Sequence, residues 1–131
     1  MEINAKDLRI GNYLQDEFGN IGYLIHWNSK NMVSVKKQFS TSTDHIENFK
    51  AVPITEQLLL EFGFYKKEHK SQLRYCHETL DVEIDKQGNN YAVVIWSEDA
   101  PHLTQYIMHC KYFHDFQNKI FALTNQELIK Q

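Results

Sequence analysis

A chain of 131 residues with 42% hydrophobic and 13% aromatic content can bury a core, so wholesale disorder is excluded. No apolar run reaches the roughly 20 residues a membrane helix needs, and MEINAKDLRI lacks the apolar stretch of a leader, so a cytoplasmic protein is expected. The net charge of -3 excludes recruitment of nucleic acid by global attraction.

In chain order, the first third reads as β. Asn12–Leu14 and Ile21–Trp27 flank Asp16-Glu17-Phe18-Gly19-Asn20, whose Gly-Asn pair supplies the positive φ of a hairpin turn. In Asn31–Lys37, Val33 and Val35 alternate with Met32, Ser34 and Lys36, which predicts a half-buried strand. Ser40-Thr41-Ser42-Thr43 reads as a polar loop, and His45–Val52 as a further short strand. Several short strands joined by tight turns predict a small SH3-like barrel over residues 1–53.

From Pro53 the pattern changes. Thr55 is an N-cap, Ile54 and Leu59 form a hydrophobic staple, and Gly63 stops the helix predicted over Glu56–Phe62. Leu73–His77, Leu80–Asp85 and Tyr91–Trp96 then read as strands, the last two joined at Gln87-Gly88-Asn89. Tyr91–Trp96 is apolar throughout, as a central strand would be. Leu103–Met108 fits either an edge strand or the start of a helix. In Lys111–Leu128, Phe113, Phe116, Ile120 and Leu123 recur at helical spacing. Thr124-Asn125-Gln126-Glu127 has capping-box spacing and is expected to open a last short turn. The expected fold class is α+β: the barrel, a short linking helix, and an antiparallel sheet packed by the C-terminal amphipathic helix, with subdomains 1–53 and 54–131 expected to form one compact unit.

Bases concentrate in the middle of the chain. Tyr65–Arg74 interleaves Lys66, Lys67, Lys70 and Arg74 with polar residues and reads as a loop after the helix. Lys36 or Lys37, which face opposite sides of their strand, can join them, with Trp27 and Phe39 nearby. Bases interleaved with aromatics bind phosphates and stack on unpaired bases, so Lys36, Lys66, Lys67, Lys70 and Arg74 form a candidate binding set. The plain alternative is a solvated loop. Asp81, Glu83 and Asp85 read as the wet face of a sheet, which makes the chain electrically two-sided.

Reaction chemistry has weaker roots. His109-Cys110, Cys76-His77 and His114 are zinc-ligand types, but the paired knuckles of structural zinc sites are absent, so no metal or other cofactor is expected. Cys110 and His114 have the i,i+4 spacing of a thiol and its base on one helix face. Cys110 also continues an apolar stripe, which points to burial. A non-enzymatic protein is the expectation. His114, Gln117 and Asn118, polar groups interrupting the apolar stripe, are expected to bond neighbouring backbone; the alternative is that they form the interface.

Three segments carry a resemblance: Asp7-Leu8-Arg9-Ile10-Gly11-Asn12-Tyr13, then Val52-Pro53-Ile54-Thr55 with Leu58-Leu59-Leu60-Glu61-Phe62-Gly63-Phe64, then Tyr112–Leu128. In this order they resemble a family of small proteins carried by bacterial phages and mobile elements. Gln57-Leu58, Phe113 and Asn125-Gln126 depart from the family's usual pattern. The chain is also similar to anti-CRISPR inhibitors of type VI RNA-guided RNA nucleases. That resemblance implies binding to a host defence protein or its guide-RNA complex, with RNA contact possible, no membrane partner and no turnover. A nucleic-acid or nucleotide-binding module without a protein target is the alternative, and a small hydrolase or metal enzyme the least favoured.

Overall fold

The computed structural model describes residues 3–69, 72–80, 82–88, 90–96 and 104–131. It is an α+β protein with two antiparallel sheets and two α-helices. The chain divides into two compact units, Met1–Pro53 with Tyr112–Asn118, and Ile54–Lys111 with Lys119–Gln131. Residues 112–118 thus cross a boundary drawn at 53/54.

In the first unit, β1 (Tyr13–Gln15), β2 (Ile21–Trp27), β3 (Met32–Lys36), β4 (Thr41–His45) and β5 (Lys50–Ala51) form one sheet in the order β4-β3-β2-β1-β5. Asp16 shapes the β1–β2 turn: its Oδ1 accepts the Phe18 and Asn20 N–H groups at 2.9 and 2.8 Å, and Gly19 takes φ +84°. Leu8, Leu14, Leu24, Val33, Val35 and Phe49 form the core, with Ile3, Trp27 and Ile46 packed against it. Val33 and Val35 point inward as the alternation predicts. Ser34 is buried as well, because its hydroxyl meets Asn28 Nδ2 and Thr43 Oγ1, each at 2.7 Å.

The polar loop expected at residues 40–43 is largely strand. β4 pairs with β3 from Met32↔His45 to Lys36↔Thr41, so ladder bonds override a sequence without apolar alternation. The strand expected over His45–Val52 is instead a 3-10 turn at Ile46–Asn48 followed by the two-residue β5.

In the second unit, α1 (Glu56–Glu61) begins where Thr55 Oγ1 accepts the Leu58 N–H at 3.2 Å. It ends before Gly63, whose φ of +92° suits a residue without a side chain. A Cβ there would also lie 2.7 Å from His77 Nε2. Leu58, Leu59 and Phe62 are buried.

The sheet of this unit runs β10-β9-β8-β7-β6, from β6 (Phe64–His69), β7 (Gln72–His77), β8 (Glu83–Gln87), β9 (Asn90–Trp96) and β10 (Thr104–Cys110). β9 has a neighbour on each side, as its apolar sequence predicts. Residues 104–110 resolve the ambiguous segment as an edge strand, and Leu103 lies outside the described residues. Gly88 takes φ +61° in the β8–β9 turn, where Asn89 is outside the described residues.

The last helix, α2, spans Phe113–Thr124. Phe113, Phe116 and Ile120 are fully buried, and Leu123 is half-buried. The expected new turn after Thr124 does not form. Thr124 Oγ1 instead donates to the Ile120 carbonyl at 2.7 Å, and Asn125 takes φ +57°, the left-handed conformation that closes helices. No helix among the described residues is long and apolar enough to cross a membrane.

Candidate functional site

The polar residues of α2 meet the N-terminal motif inside the first unit. Gln117 Oε1 accepts the Tyr13 N–H at 2.9 Å, while its Nε2 donates to the Gly11 carbonyl at 3.1 Å. Asn118 Oδ1 accepts from Arg9 Nε and Asn12 Nδ2, both at 2.9 Å, and Asn118 Nδ2 donates to the Asp7 carbonyl at 2.7 Å. Asn12 Oδ1 in turn accepts the Arg9 N–H at 2.8 Å. Asn12 and Gln117 are buried, so the network pairs their own amides while binding part-buried backbone groups of Arg9, Gly11 and Tyr13. Two segments that carry the resemblance are therefore bonded to each other.

His114 behaves differently. It is buried, its ring stacks with Tyr112 at 6.3 Å, and its Nδ1 has no hydrogen-bond partner among the described residues. Burial holds the imidazole below its ordinary value of 6.5, against the raising influence of Asp115 and Asp7. The unfolded chain thus takes up a proton near pH 6.5 that the folded protein resists, and stability falls as the pH drops below that value. We expect His114→Gln to flatten this part of the profile, read from urea midpoints between about pH 8 and about pH 5. Parallel profiles for the two proteins would contradict the assignment.

The basic candidates do not share a loop. Residues 64–69 and 72–77 are the hairpin β6–β7, with Lys67 opposite Arg74 and Lys66 opposite Tyr75. Tyr65-Lys66-Lys67-Glu68-His69 lacks apolar alternation because β6 is an edge strand. Lys66 and Lys67 face opposite sides of it, and Lys70 lies outside the described residues. Lys66 Nζ bonds Glu56 Oε1 at 2.8 Å, and this contact raises the lysine's pKa and lowers the carboxyl's.

Arg74 sits between two carboxylates, with Nη1 3.4 Å from Glu83 Oε2 and Nε 3.2 Å from Asp85 Oδ1. Burial raises the Asp85 pKa, Arg74 opposes that, and Glu83 adds to it. The wet acidic face is therefore neutralised by the arginine expected to contact a partner, and Asp81 lies outside the described residues. Lys36 is exposed on β3 in the first unit. Among the described residues neither Lys36 nor Lys67 forms an ion pair.

The candidate thiol and base do not lie on one helix. Cys110 ends strand β10 and pairs with Tyr91, whereas α2 begins at Phe113. Both cysteines are buried, and burial raises the Cys76 thiol pKa. Such a thiol is a poor nucleophile. His77 is also engaged: Nδ1 accepts the Thr79 and Leu80 N–H groups at 3.2 Å each, which assigns the proton to Nε2 and lets it donate to the Phe62 carbonyl at 3.1 Å. Among the described residues no three His, Cys, Asp or Glu side chains converge as metal ligands.

One cleft lies wholly in the first unit. Consecutive antiparallel strands place the β1–β2 and β3–β4 loops at the same end of the sheet. Lys37 joins them, its Nζ 3.1 Å from Asp16 Oδ2. Gly22 makes this possible, since a Cβ there would lie 2.9 Å from Lys37 Cγ and 2.5 Å from the Lys36 carbonyl oxygen. Burial would raise the Asp16 carboxyl, but bonds from the Asn20 N–H, the Lys37 ammonium, the Asn20 side chain and the Phe18 N–H outweigh it and bring the pKa to about 2.

The cleft has a volume of about 280 Å³, with Asp16, Glu17, Phe18, Lys37, Asp44 and Phe49 prominent in its wall. Asp44 Oδ1 accepts from Asn48 Nδ2 and the His45 N–H, and these bonds keep its pKa low, whereas Oδ2 receives no hydrogen bond among the described residues. Phe18 on the rim is 83% exposed, and Phe39 in the neighbouring loop 91%.

No protein-family model, curated protein or solved structure matches this chain.

The geometry separates residues that build the fold from residues left to meet a partner. Gln117, Asn118, His77 and Arg74 are committed inside their units. Phe18 and Phe39 are not, and sequence reasoning placed Phe18 only in a turn. The available signal is a bulky apolar residue at the tip of a turn whose other members are polar, where no core can reach it.

Proposed function

We propose that this protein is a non-enzymatic accessory protein of mobile-element origin that binds and inhibits a host defence complex in the cytoplasm. The proposed target is a type VI RNA-guided RNA nuclease or its guide-RNA complex. One observation carries the binding reading: Phe18 and Phe39 stand in solvent on adjacent loops that the Asp16–Lys37 bridge holds together. Large exposed aromatics on a braced scaffold suit protein docking, where such side chains supply most of the binding energy. The strand order β4-β3-β2-β1-β5, with a 3-10 turn before the short β5, suits an SH3-like barrel as that scaffold. The three resembling segments favour the mobile-element origin, and the separate likeness to anti-CRISPR inhibitors suggests the target class.

The test is a pull-down from host lysate with and without ribonuclease, paired with a nuclease assay on the purified effector. A protein partner retained after ribonuclease, with target cleavage suppressed, supports the reading. A Phe18→Ser/Phe39→Ser variant should fold normally and lose at least about tenfold in affinity, since hot-spot aromatics contribute on that scale. Recovery of RNA alone would favour the nucleic-acid module and overturn the reading.

A further inference from the structure

We propose that the cleft between the β1–β2 and β3–β4 loops receives a single arginine side chain of the partner protein. This deepens the binding reading and rests on it. Size sets the first limit. At about 280 Å³ the cleft lies at the lower end of the ~300–1,000 Å³ usual for small-molecule and cofactor sites, a size that suits a single long side chain.

Charge sets the second. The lining holds three carboxylates, Asp16, Glu17 and Asp44, against one cation, Lys37. Lys37 and Asp16 satisfy each other at 3.1 Å, which leaves Glu17 and the open Oδ2 of Asp44 facing whatever enters. A phosphate would meet repulsion there, with the lysine already engaged. A cation meets attraction.

The apolar surfaces then choose among cations. Phe18 forms a rim and Phe49 part of the lining. A planar guanidinium stacks on an aromatic face while its edge donates to a carboxylate, which the compact, strongly hydrated ammonium of lysine does less well. Ser42 in the wall offers a further acceptor for a group with five N–H donors.

The experiment is an amide NMR titration of the full chain with N-acetyl-arginine methylamide. N-acetyl-lysine methylamide, inorganic phosphate and a nucleoside monophosphate serve as comparison probes. The expected result is saturable shifts at Phe18, Asn20, Asp44 and Asn48 with the arginine probe, at least about fivefold tighter than with lysine. Asp44→Asn and Phe18→Ser should each weaken the arginine response by about five- to tenfold, while the amides of Leu14, Leu24 and Val33 in the core of the same unit keep their positions, reporting an intact fold. Absence of arginine shifts at these amides overturns the proposal, as does an equal response to lysine or a stronger one to phosphate or nucleotide. Partner capture without an arginine response would remove this inference and leave the binding function standing. An arginine response without partner capture would do the reverse.

Discussion

Phe62→Ala should lower the unfolding free energy by about 3–5 kcal/mol, the range for deleting a fully buried aromatic ring. The side chain is completely enclosed at the C-terminal end of α1, and its N–H reaches back to the Leu58 and Leu59 carbonyls at 3.1 and 3.2 Å. Two effects add. Apolar area returns to water on unfolding in smaller amount, and the folded state keeps a cavity that neighbouring side chains cannot fill without leaving their rotamers. His77 bonds the Phe62 carbonyl, so the backbone is held in place and collapse into the void is resisted. Urea denaturation at constant slope checks the figure. Phe39→Ala serves as the reference and should stay within about 0.5 kcal/mol of the parent, because the ring has no buried contact to lose. A Phe62 loss below about 1 kcal/mol would mean that the surroundings relax far more than this packing permits.

Gln117→Leu has the second largest expected effect, about 2–5 kcal/mol, although it exchanges a polar side chain for an apolar one of similar size. The amide serves two backbone groups, accepting from the Tyr13 N–H and donating to the Gly11 carbonyl. Leucine would leave both part-buried partners without that bond, at about 1–3 kcal/mol each, toward the lower end where water reaches them. Asn12→Ala acts on the same network by removing the acceptor of the Arg9 N–H and the donor to Asn118. Residues that share partners couple, so the double variant should lose less than the sum of the singles by at least about 0.5 kcal/mol. Strict additivity would show that the bonds act separately.

These expectations differ in how well the sequence foretells them. α1 is legible because its signals are local: Thr55 at one end, Gly63 at the other, and leucines between. The inward set of β3 and the apolar run of β9 are legible for the same reason. β4 and β6 are not, since they lie at sheet edges and take their conformation from ladder bonds with β3 and β7 rather than from their own side chains. Arg74 is misread because the carboxylates that neutralise it lie nine and eleven positions along the chain, on a strand whose register sequence alone does not set. The cleft is invisible for a similar reason. Its walls come from two loops, strand β4 and a 3-10 turn, and the bridge that closes it joins residues 21 positions apart. The Gln117 and Asn118 bonds were expected to reach neighbouring backbone. They reach backbone more than 100 positions away.

That span has a consequence for how the protein comes into being. Arg9 and Asn118 are 109 positions apart, and Asn12 and Gln117 are 105. A nascent chain can form its first hairpins early, but the Gly11 carbonyl and the Tyr13 N–H must wait for Gln117, more than 100 positions later, to leave the ribosome. Contacts so distant must be gathered at the entropic cost of closing a long loop before they reward it. The first unit is therefore begun before the second but completed only after Ile54–Lys111 of the second has been made. A fragment stopping at residue 53 would retain the strands but lack the Phe113–Asn118 segment that satisfies them, leaving it exposed to the cell's proteases.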